Sequence, residues 1–279
     1  MPYSAEISRV TPSCFLFLID QSGSMSDPFG GQLGRKKAEG VADAINRLLQ
    51  NLVIKCNKSE GVRDYYHVGV IGYGRQVAPA LGGALTGRDL VPISEIADAP
   101  LRIEQRVKKV DDGAGGLVDQ TIKFQVWFEP VADGTTPMCQ ALELARQTIG
   151  TFIERYPNCY PPIIINITDG EATDGDPEPP SATLRSLAST DGPVLFFNAH
   201  VSSRPDHPIE FPCSETQLPD DYARRLFRMS STLPPPIQEA ARREEMQITD
   251  ETRGFVFNAD LVAVIRFLDI GTKVAQNLR

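Results

Sequence analysis

The stretch FLFLIDQSGSM, residues 15–25, carries the strongest structural signal in the sequence. Its five leading apolar residues predict a β-strand that is buried on both faces, as in a parallel sheet. The strand runs directly into Asp20, and the hydroxyl residues Ser22 and Ser24 follow at every second position. In a tight loop such spacing points side chains to one side, so we expect one carboxylate and two hydroxyls to converge.

A second apolar stretch, PPIIINITDG at residues 161–170, also ends in an acid, Asp169. In an open parallel sheet, ligands bind outside the carboxyl ends of the strands. We therefore expect Asp20 and Asp169 at the same edge of the sheet, together with the two serines. An all-oxygen cluster of this kind suits a hard cation, Mg²⁺ first, with Mn²⁺ or Ca²⁺ as alternatives.

Apolar strands and amphipathic helices alternate along most of the chain. Apolar positions spaced three and four apart predict helices over 35–56 and 138–153, and continuous apolar runs predict strands at 65–73 and 193–201. This pattern indicates an α/β fold, a doubly wound, mostly parallel sheet with helices on both faces. Further helices are predicted around 181–189, 220–230, 236–247 and 261–268, the last capped by Asn258.

Residues 82–130 interrupt this alternation. They contain no good helix, but two runs with period-two alternation, 101–107 and 122–128, flank a glycine-rich segment at 111–116. The pattern predicts a half-exposed β-hairpin inserted in the α/β domain. Trp127 would be either an exposed contact residue or part of the core. We expect either a polar face of the hairpin near the metal that helps select a partner, with Arg102, Glu104, Arg106, Lys108, Lys123 and Gln125 available, or a hairpin that only covers a sheet edge.

The composition excludes several classes of protein. The chain has 28 basic and 36 acidic residues, a net charge of −8 and no long basic run, which argues against a broad nucleic-acid-binding face. Five cysteines without a C-x-x-C pair indicate neither a zinc cluster nor a disulfide framework. No apolar run approaches the roughly 20 residues that span a bilayer, and no signal peptide is recognisable, so we expect a cytoplasmic protein.

The motif at the end of the first strand resembles the metal-ion-dependent adhesion site of the von Willebrand factor A (vWA) family. That site begins with D-x-S-x-S, matched here by Asp20, Ser22 and Ser24, and continues with a distant Thr and a distant Asp. The segment DGTTPMCQAL at 133–142 resembles the family's threonine loop, which precedes a helix. Within it Thr136 matches best, and the neighbouring threonine at 135 is the alternative.

The segment NITDGEATDGD at 166–176 resembles the family's second aspartate loop and gives Asp169 as the last ligand. The order and spacing of the three loops match the family over most of the chain, which implies a single vWA domain over residues 1–279. Within the family, the loops look most like those of bacterial cytoplasmic members of the TerY type.

The resemblance also implies a function. In the family, the hydroxyls bind the metal directly, the aspartates bind it directly or through water, and an acid from another protein often completes the coordination. This implies a non-catalytic, metal-dependent protein–protein interaction module, an adaptor in a bacterial stress-response or defence-type complex. Some TerY-type proteins are encoded beside protein kinases and phosphatases, so a kinase or phosphatase system is a candidate partner.

The same residue types are compatible with other structural roles. D-x-S-x-S alone also suits a helix N-cap and turn. The acids Glu171, Asp174, Asp176 and Glu178 could form a second cation site, although a solvated loop is the expected reading.

The alternative function is a Mg²⁺-dependent hydrolase or phosphotransferase. Aspartyl-phosphate enzymes rely on D-x-D and a lysine, whereas Ser22 stands two residues after Asp20 and the sequence has no lysine near the loop of Asp169.

Overall fold

The computed structural model describes residues 2–29, 34–111, 116–203 and 208–271. The strands in these ranges are β1 (Ser13–Asp20), β2 (Asn57–Lys58), β3 (Gly61–Val62), β4 (Tyr66–Tyr73), β5 (Val77–Pro79), β6 (Val91–Pro92), β7 (Arg102–Asp111), β8 (Leu117–Val126), β9 (Ile163–Thr168), β10 (Ala188–Ser189), β11 (Gly192–Pro193), β12 (Leu195–Val201), β13 (Ile209–Glu210) and β14 (Phe255–Ala259). The α-helices are α1 (Lys37–Cys56), α2 (Ile93–Asp98), α3 (Met138–Arg155), α4 (Glu178–Ser186), α5 (Asp221–Met229), α6 (Pro235–Arg243) and α7 (Leu261–Gly271).

An eight-stranded sheet forms the centre of the fold. Its order is β13-β14-β12-β9-β1-β4-β5, and β6 pairs with the first half of β4. The pairs among β4, β1, β9, β12 and β14 are parallel, and the antiparallel pairs lie towards the edges. The predicted doubly wound, mostly parallel sheet is therefore confirmed.

The strand order reverses between β1 and β9. From β1 the chain passes through α1 to β4 on one side, and later returns through α3 to β9 on the other side. Ile19 pairs with Ile167 in the parallel register, so Asp20 and Asp169 emerge at the same edge. The carboxyl end of the sheet at such a switch point is where ligands bind in open α/β folds.

Strand β1 is buried on both faces, which explains its uninterrupted apolar run. Phe15 and Phe17 pack into one core cluster with residues of α1, α2, α6 and α7. Leu16 and Leu18 pack into a second cluster with residues of α3, α4 and α5. Burying a large apolar side chain contributes about 1.5–3 kcal/mol, so this strand anchors the loop that follows it from both sides.

Several helix ends lie within about four residues of the predicted positions, and the start of α1 and the cap of α7 differ from expectation near the functional elements. Helix α1 begins at Lys37, two residues later than predicted. Helix α7 is capped by Asp260, whose carboxylate accepts a hydrogen bond from the backbone N–H of Ala263 at 2.8 Å. The predicted cap, Asn258, belongs to β14 with φ of 57°, so its position precludes that role.

The hairpin predicted within 82–130 exists, but it is shorter than that range. Strands β7 and β8 pair antiparallel from Arg102 with Val126 to Asp111 with Leu117. Residues 91–98, which were expected to hold no helix, instead form β6 and the short helix α2. The central part of the glycine-rich segment, 112–115, lies outside the described residues.

The predicted polar face of the hairpin is wrong. Residues directly opposite each other in an antiparallel pair share a face, and Gln125 lies opposite Ile103. Arg106 instead points towards α1, where its guanidinium pairs with Asp43 at 2.9 Å. Ile103 and Val107 are more than half exposed, so the outward face carries apolar residues as well as polar ones. Alternation reveals two faces but not which of them packs on the domain.

Trp127 follows the hairpin and belongs to the core. Its side chain is fully buried, and its indole N–H donates a hydrogen bond to the carbonyl of Ile96 at 2.7 Å. Asn46 of α1 forms hydrogen bonds with the backbone of Trp127 and Phe128, which fixes the base of the hairpin to the domain.

Across the described ranges, every helix is too short or too polar to cross a bilayer.

Candidate metal centre

The loop after β1 turns sharply through a short 3-10 helix, Gly23–Ser26. The Asp20 carboxylate is fully buried, and its two oxygens accept hydrogen bonds from the backbone N–H of Ser22 at 2.8 Å and the hydroxyl of Thr168 at 2.7 Å. The hydroxyls of Ser22 and Ser24 share a hydrogen bond at 3.0 Å. Spacing by two residues therefore gathers these oxygens on one side of the loop, as expected.

The environment of Asp20 disfavours its negative charge. Burial raises the pKa of this carboxyl to about 6, because desolvation penalises the ionised form. Hydrogen bonds from Ser22 and Thr168 oppose the shift, and the nearby charge of Asp169 adds to it. The negative charges of Asp20 and Asp169 repel each other at this buried strand end, so a cation bound between them would be stabilised.

The loop that carries Thr136 is fastened to the first loop by its backbone. The N–H of Gly23 donates to the carbonyl of Gly134 at 3.0 Å, and the N–H of Asp133 donates to the carbonyl of Gln21 at 2.6 Å. Gly134 has φ of 94°, and a Cβ there would lie 2.4 Å from the backbone nitrogen of Arg75, so only glycine fits this crossing.

Thr136 itself is buried and links the second loop to the third. Its N–H donates to the hydroxyl of Thr173 at 3.0 Å, and its carbonyl accepts from the Thr173 N–H at 2.9 Å. A Cβ placed on Gly170 would lie 3.6 Å from the Thr136 hydroxyl oxygen, so this hydroxyl stands beside the residue after Asp169. Thr136, the threonine that best matched the family's threonine loop, therefore lies beside the aspartate loop in the folded protein.

Asp169 joins the third loop to the first. Its side chain is fully buried, and one carboxylate oxygen accepts a hydrogen bond from the Ser24 hydroxyl at 2.7 Å. Ser24 is itself exposed, so the cluster is reachable from solvent at this residue. The structure thus assembles the five residues predicted from sequence, which are Asp20, Ser22, Ser24, Thr136 and Asp169.

Lys37, the first residue of α1, is a member of the cluster that sequence reasoning missed. Its ammonium nitrogen lies 2.6 Å from the second carboxylate oxygen of Asp169 and 3.3 Å from the carbonyl oxygen of Ser24. The lysine side chain is only 6% exposed. No lysine lies near Asp169 in the sequence, as stated above, because Lys37 is 132 positions away. In the folded protein, however, Lys37 contacts Asp169 directly.

Tyr222 on α5 is a second residue without a sequence signal. Its hydroxyl donates to the carbonyl of Gly170, and it lies 3.5 Å from the hydroxyl of Thr168. Burial raises the pKa of Tyr222 strongly, so the phenol stays protonated and able to donate. Tyr222 therefore positions the backbone directly after Asp169.

The acids beyond Asp169 are engaged in structural contacts. Asp174 accepts hydrogen bonds from the backbone N–H groups of Cys139 and Gln140 at 3.0 and 2.9 Å, which caps α3 immediately after the threonine loop. Glu178 pairs with Arg228 at 2.6 Å. These contacts support a structural role for both side chains and give them no shared cation site.

The donor set fits a hard divalent cation. All five side chains offer oxygen, three of them as neutral hydroxyls, which matches Mg²⁺ or Mn²⁺ better than a soft metal. Among residues that the structure describes, no group of three or more His, Cys, Asp or Glu side chains could hold a metal ion. A cation here would therefore depend on the hydroxyls as well as the two acids.

Comparison with known proteins finds no matching family model and no matching curated protein. Proximal thread matrix protein 1 (PTMP1) from the mussel byssus is 15% identical, with 82% of this chain and 43% of that chain covered at a TM-score of 0.43. The vWF domain of the type V pili tip protein Mfa5 from Porphyromonas gingivalis is 16% identical, with coverages of 58% and 39% and a TM-score of 0.34.

An aerotolerance-related membrane protein from Bacteroides fragilis NCTC 9343 is 15% identical, with coverages of 92% and 98% and a TM-score of 0.38. Another structure of PTMP1 has a zinc-occupied MIDAS motif. The chain spans less than half the length of the PTMP1 and Mfa5 structures. The TM-scores of these structures are all below 0.5, so the similarities carry no argument about a metal, an activity or a partner. Any such argument has to rest on the residues of this chain.

Proposed function

We propose that this protein is a vWA-type interaction module that binds Mg²⁺, or Mn²⁺ or Ca²⁺ in its place, at the five assembled residues. The bound ion would supply a Lewis-acidic centre that accepts a further oxygen ligand. The chain's own part is to hold the oxygens and leave one side open at Ser24. A partner protein would contribute an aspartate or glutamate there.

The observation that carries this proposal is the cross-linking of the three loops. Backbone hydrogen bonds tie Gly23 to Gly134 and Thr136 to Thr173, and a side-chain hydrogen bond ties Ser24 to Asp169. A helix cap or an ordinary turn would need only the loop after β1, so it would not explain why three loops are joined here. Preorganised oxygens on rigid elements are what a metal site requires.

The surface beside the site offers room for a partner segment. A cavity of about 480 Å³ opens next to Asp169 and Lys37 and extends towards the ends of β12 and β14. Its lining mixes polar and apolar groups, among them Asp220 and Phe257. We place the acidic residue of the partner at the metal and its flanking residues along this cavity.

The wider setting is also part of the proposal. The loop motifs look most like those of TerY-type proteins, which favours a cytoplasmic adaptor of a bacterial stress-response or defence-type complex. A kinase or phosphatase system is the partner class that this resemblance suggests. The net charge of −8 favours partners other than nucleic acid.

A Mg²⁺-dependent hydrolase or phosphotransferase is the competing function, and Lys37 beside Asp169 strengthens it relative to the sequence alone. However, a nucleophilic carboxylate must reach its substrate. Asp20 is fully buried, with a hydrogen bond to each oxygen, and Ser22 stands where D-x-D enzymes have a second acid. We therefore favour the non-catalytic function.

Calorimetric titration with MgCl₂ and MnCl₂ tests the metal site. The Ser22→Ala/Ser24→Ala double variant should bind at least tenfold more weakly than the wild type. The control is Thr183→Ala/Ser186→Ala on α4, whose hydroxyls bond only carbonyls of their own helix. Equal affinity in all three proteins would contradict the assignment. Turnover of a generic phosphate ester with Mg²⁺, abolished by Asp20→Ala, would favour the hydrolase instead.

A further inference from the structure

The ammonium group of Lys37 is surrounded by oxygens. It contacts the Asp169 carboxylate at 2.6 Å and the Ser24 carbonyl at 3.3 Å, and a carboxylate oxygen of Asp27 lies 3.6 Å away. Two of the three N–H donors of the ammonium form hydrogen bonds, to Asp169 and Ser24, and Asp27 is an ion-pair partner beyond hydrogen-bond distance. Lys37 thus has the surroundings of a bound cation.

The position of this lysine is otherwise unfavourable. A positive charge in the first turn of a helix opposes the helix dipole, and a buried ammonium loses its hydration. Lys37 is the first residue of α1 and is almost completely buried. The compensation comes from Asp169, whose side chain is fully buried and whose other oxygen is held by Ser24.

We propose that Lys37 is a built-in competitor of the divalent cation at this site. The inference rests on the proposed function, because it concerns the same metal. A divalent ion bound to Asp169 would share this carboxylate with the ammonium group of Lys37, and the two positive charges would repel each other. The ammonium on one oxygen of Asp169 therefore opposes a second positive charge on the other oxygen, its departure from Asp169 accompanies metal binding, and this competition keeps the affinity for metal low.

Asp27 provides the place to which Lys37 moves. Its side chain is 56% exposed, and one of its carboxylate oxygens lies 3.6 Å from the ammonium that contacts Asp169. The backbone N–H of Lys37 already donates to the Asp27 carbonyl at 2.9 Å, so the two residues stay together whichever acid the side chain contacts. The exchange needs a change of side-chain rotamer and no movement of α1.

Two substitutions should change the affinity for Mn²⁺ in opposite directions. Lys37→Met removes the competing charge, so Mn²⁺ should bind at least tenfold more tightly than to the wild type. Asp27→Asn removes the charge that receives the lysine, so Mn²⁺ should bind several-fold more weakly. Lys36→Met is the matched control, because it removes the same charge from the exposed neighbouring residue and should leave affinity within twofold.

Calorimetry with MnCl₂ on the four folded proteins, checked by circular dichroism, decides between the outcomes. Tighter binding to Lys37→Met but not to Lys36→Met supports the competition, even where the wild type shows no binding. If the wild type binds Mn²⁺ and Lys37→Met binds it equally or more weakly, the proposed competition is wrong, although the metal site itself is supported. Absence of binding to every protein overturns the proposed function as well. Lys37→Gln replaces Lys37→Met if the latter does not fold.

Discussion

Tyr222 holds the backbone of Gly170, the residue that follows Asp169, through a hydrogen bond from its buried hydroxyl. The two residues are 52 positions apart and belong to different layers of the molecule, since Tyr222 lies on α5 and Gly170 follows β9. The geometry of the aspartate loop therefore depends on a helix that contributes none of the five clustered residues.

We expect Tyr222→Phe to weaken Mn²⁺ binding several-fold while the fold is retained. The one proton of the Thr168 hydroxyl is donated to Asp20 at 2.7 Å, so the Gly170 carbonyl loses its side-chain donor and the loss of stability should be about 1–3 kcal/mol. Calorimetry and thermal unfolding measure both effects. Tyr156→Phe, at the far end of α3, is the control, and equal metal affinity in the two variants would remove the positioning role of Tyr222.

Asp20→Asn should change the pH dependence of stability in metal-free buffer. The pKa of Asp20 is about 6 in the folded protein and 3.8 in the unfolded chain, so the folded state binds more protons between these values. This contribution is complete below pH 3.8 and is lost as pH rises through 6. It amounts to about 3 kcal/mol, and asparagine, which does not titrate, loses nothing.

The stability of Asp20→Asn relative to the wild type should therefore increase as pH rises from 4 to 7.5 in EDTA. Urea unfolding at several pH values measures the difference, in which titrations shared by both proteins cancel. A difference that stays flat, or that decreases with pH, would show that burial does not penalise this carboxylate. Added Mg²⁺ should stabilise only the wild type.

Asp174→Asn should destabilise the protein and loosen the threonine loop. The carboxylate caps two N–H groups at the start of α3 and lies at the positive end of the helix, so its neutralisation should cost about 1 kcal/mol. Glu171→Gln removes the same charge from the same loop without uncapping α3. Urea unfolding that places both variants at the same stability would contradict the capping role.

The hairpin should be dispensable for metal binding. Its contacts with the domain run through Arg106, Asp43 and the buried residues at its base, and none of the hydrogen bonds that join the three loops involves it. Replacing residues 104–124 with a short Gly-Asn turn should leave Mn²⁺ affinity within twofold. A tenfold loss would show that the hairpin helps to build the site; loss of partner capture alone would support its predicted recognition role.

Local patterns were enough to predict the sheet, the two acids at its strand ends and the two serines, whereas Thr136 was identified from the resemblance of its loop to the vWA threonine loop. The apolar run before Asp20 reflects a strand buried on two faces, and parallel register then brings Asp169 to the same edge. The sheet and the two acids follow from continuous apolar runs and from the position of strand ends. No distant contact has to be known to infer them.

The parts that escaped prediction depend on contacts between distant segments. Lys37 reads as an ordinary charged residue at the start of an amphipathic helix, and only the packing of α1 brings it to Asp169. Tyr222 likewise gives no local signal. On the hairpin, the face of β7 that carries Arg106 turns inward because its partners on β8 include the buried Phe124 and Val126, and this pairing is not encoded in the alternation of β7.

The central claim is that the five oxygen-bearing residues hold a divalent cation, and anomalous diffraction from crystals grown with MnCl₂ tests it most directly. We predict an anomalous peak between Asp169 and the hydroxyls of Ser22 and Ser24, roughly 2.0–2.3 Å from its nearest oxygens. The peak should disappear in the Ser22→Ala/Ser24→Ala variant. A peak only at the exposed acids of the loop after Asp169, or no peak at saturating Mn²⁺ in a crystal whose site is open to solvent, would contradict the account.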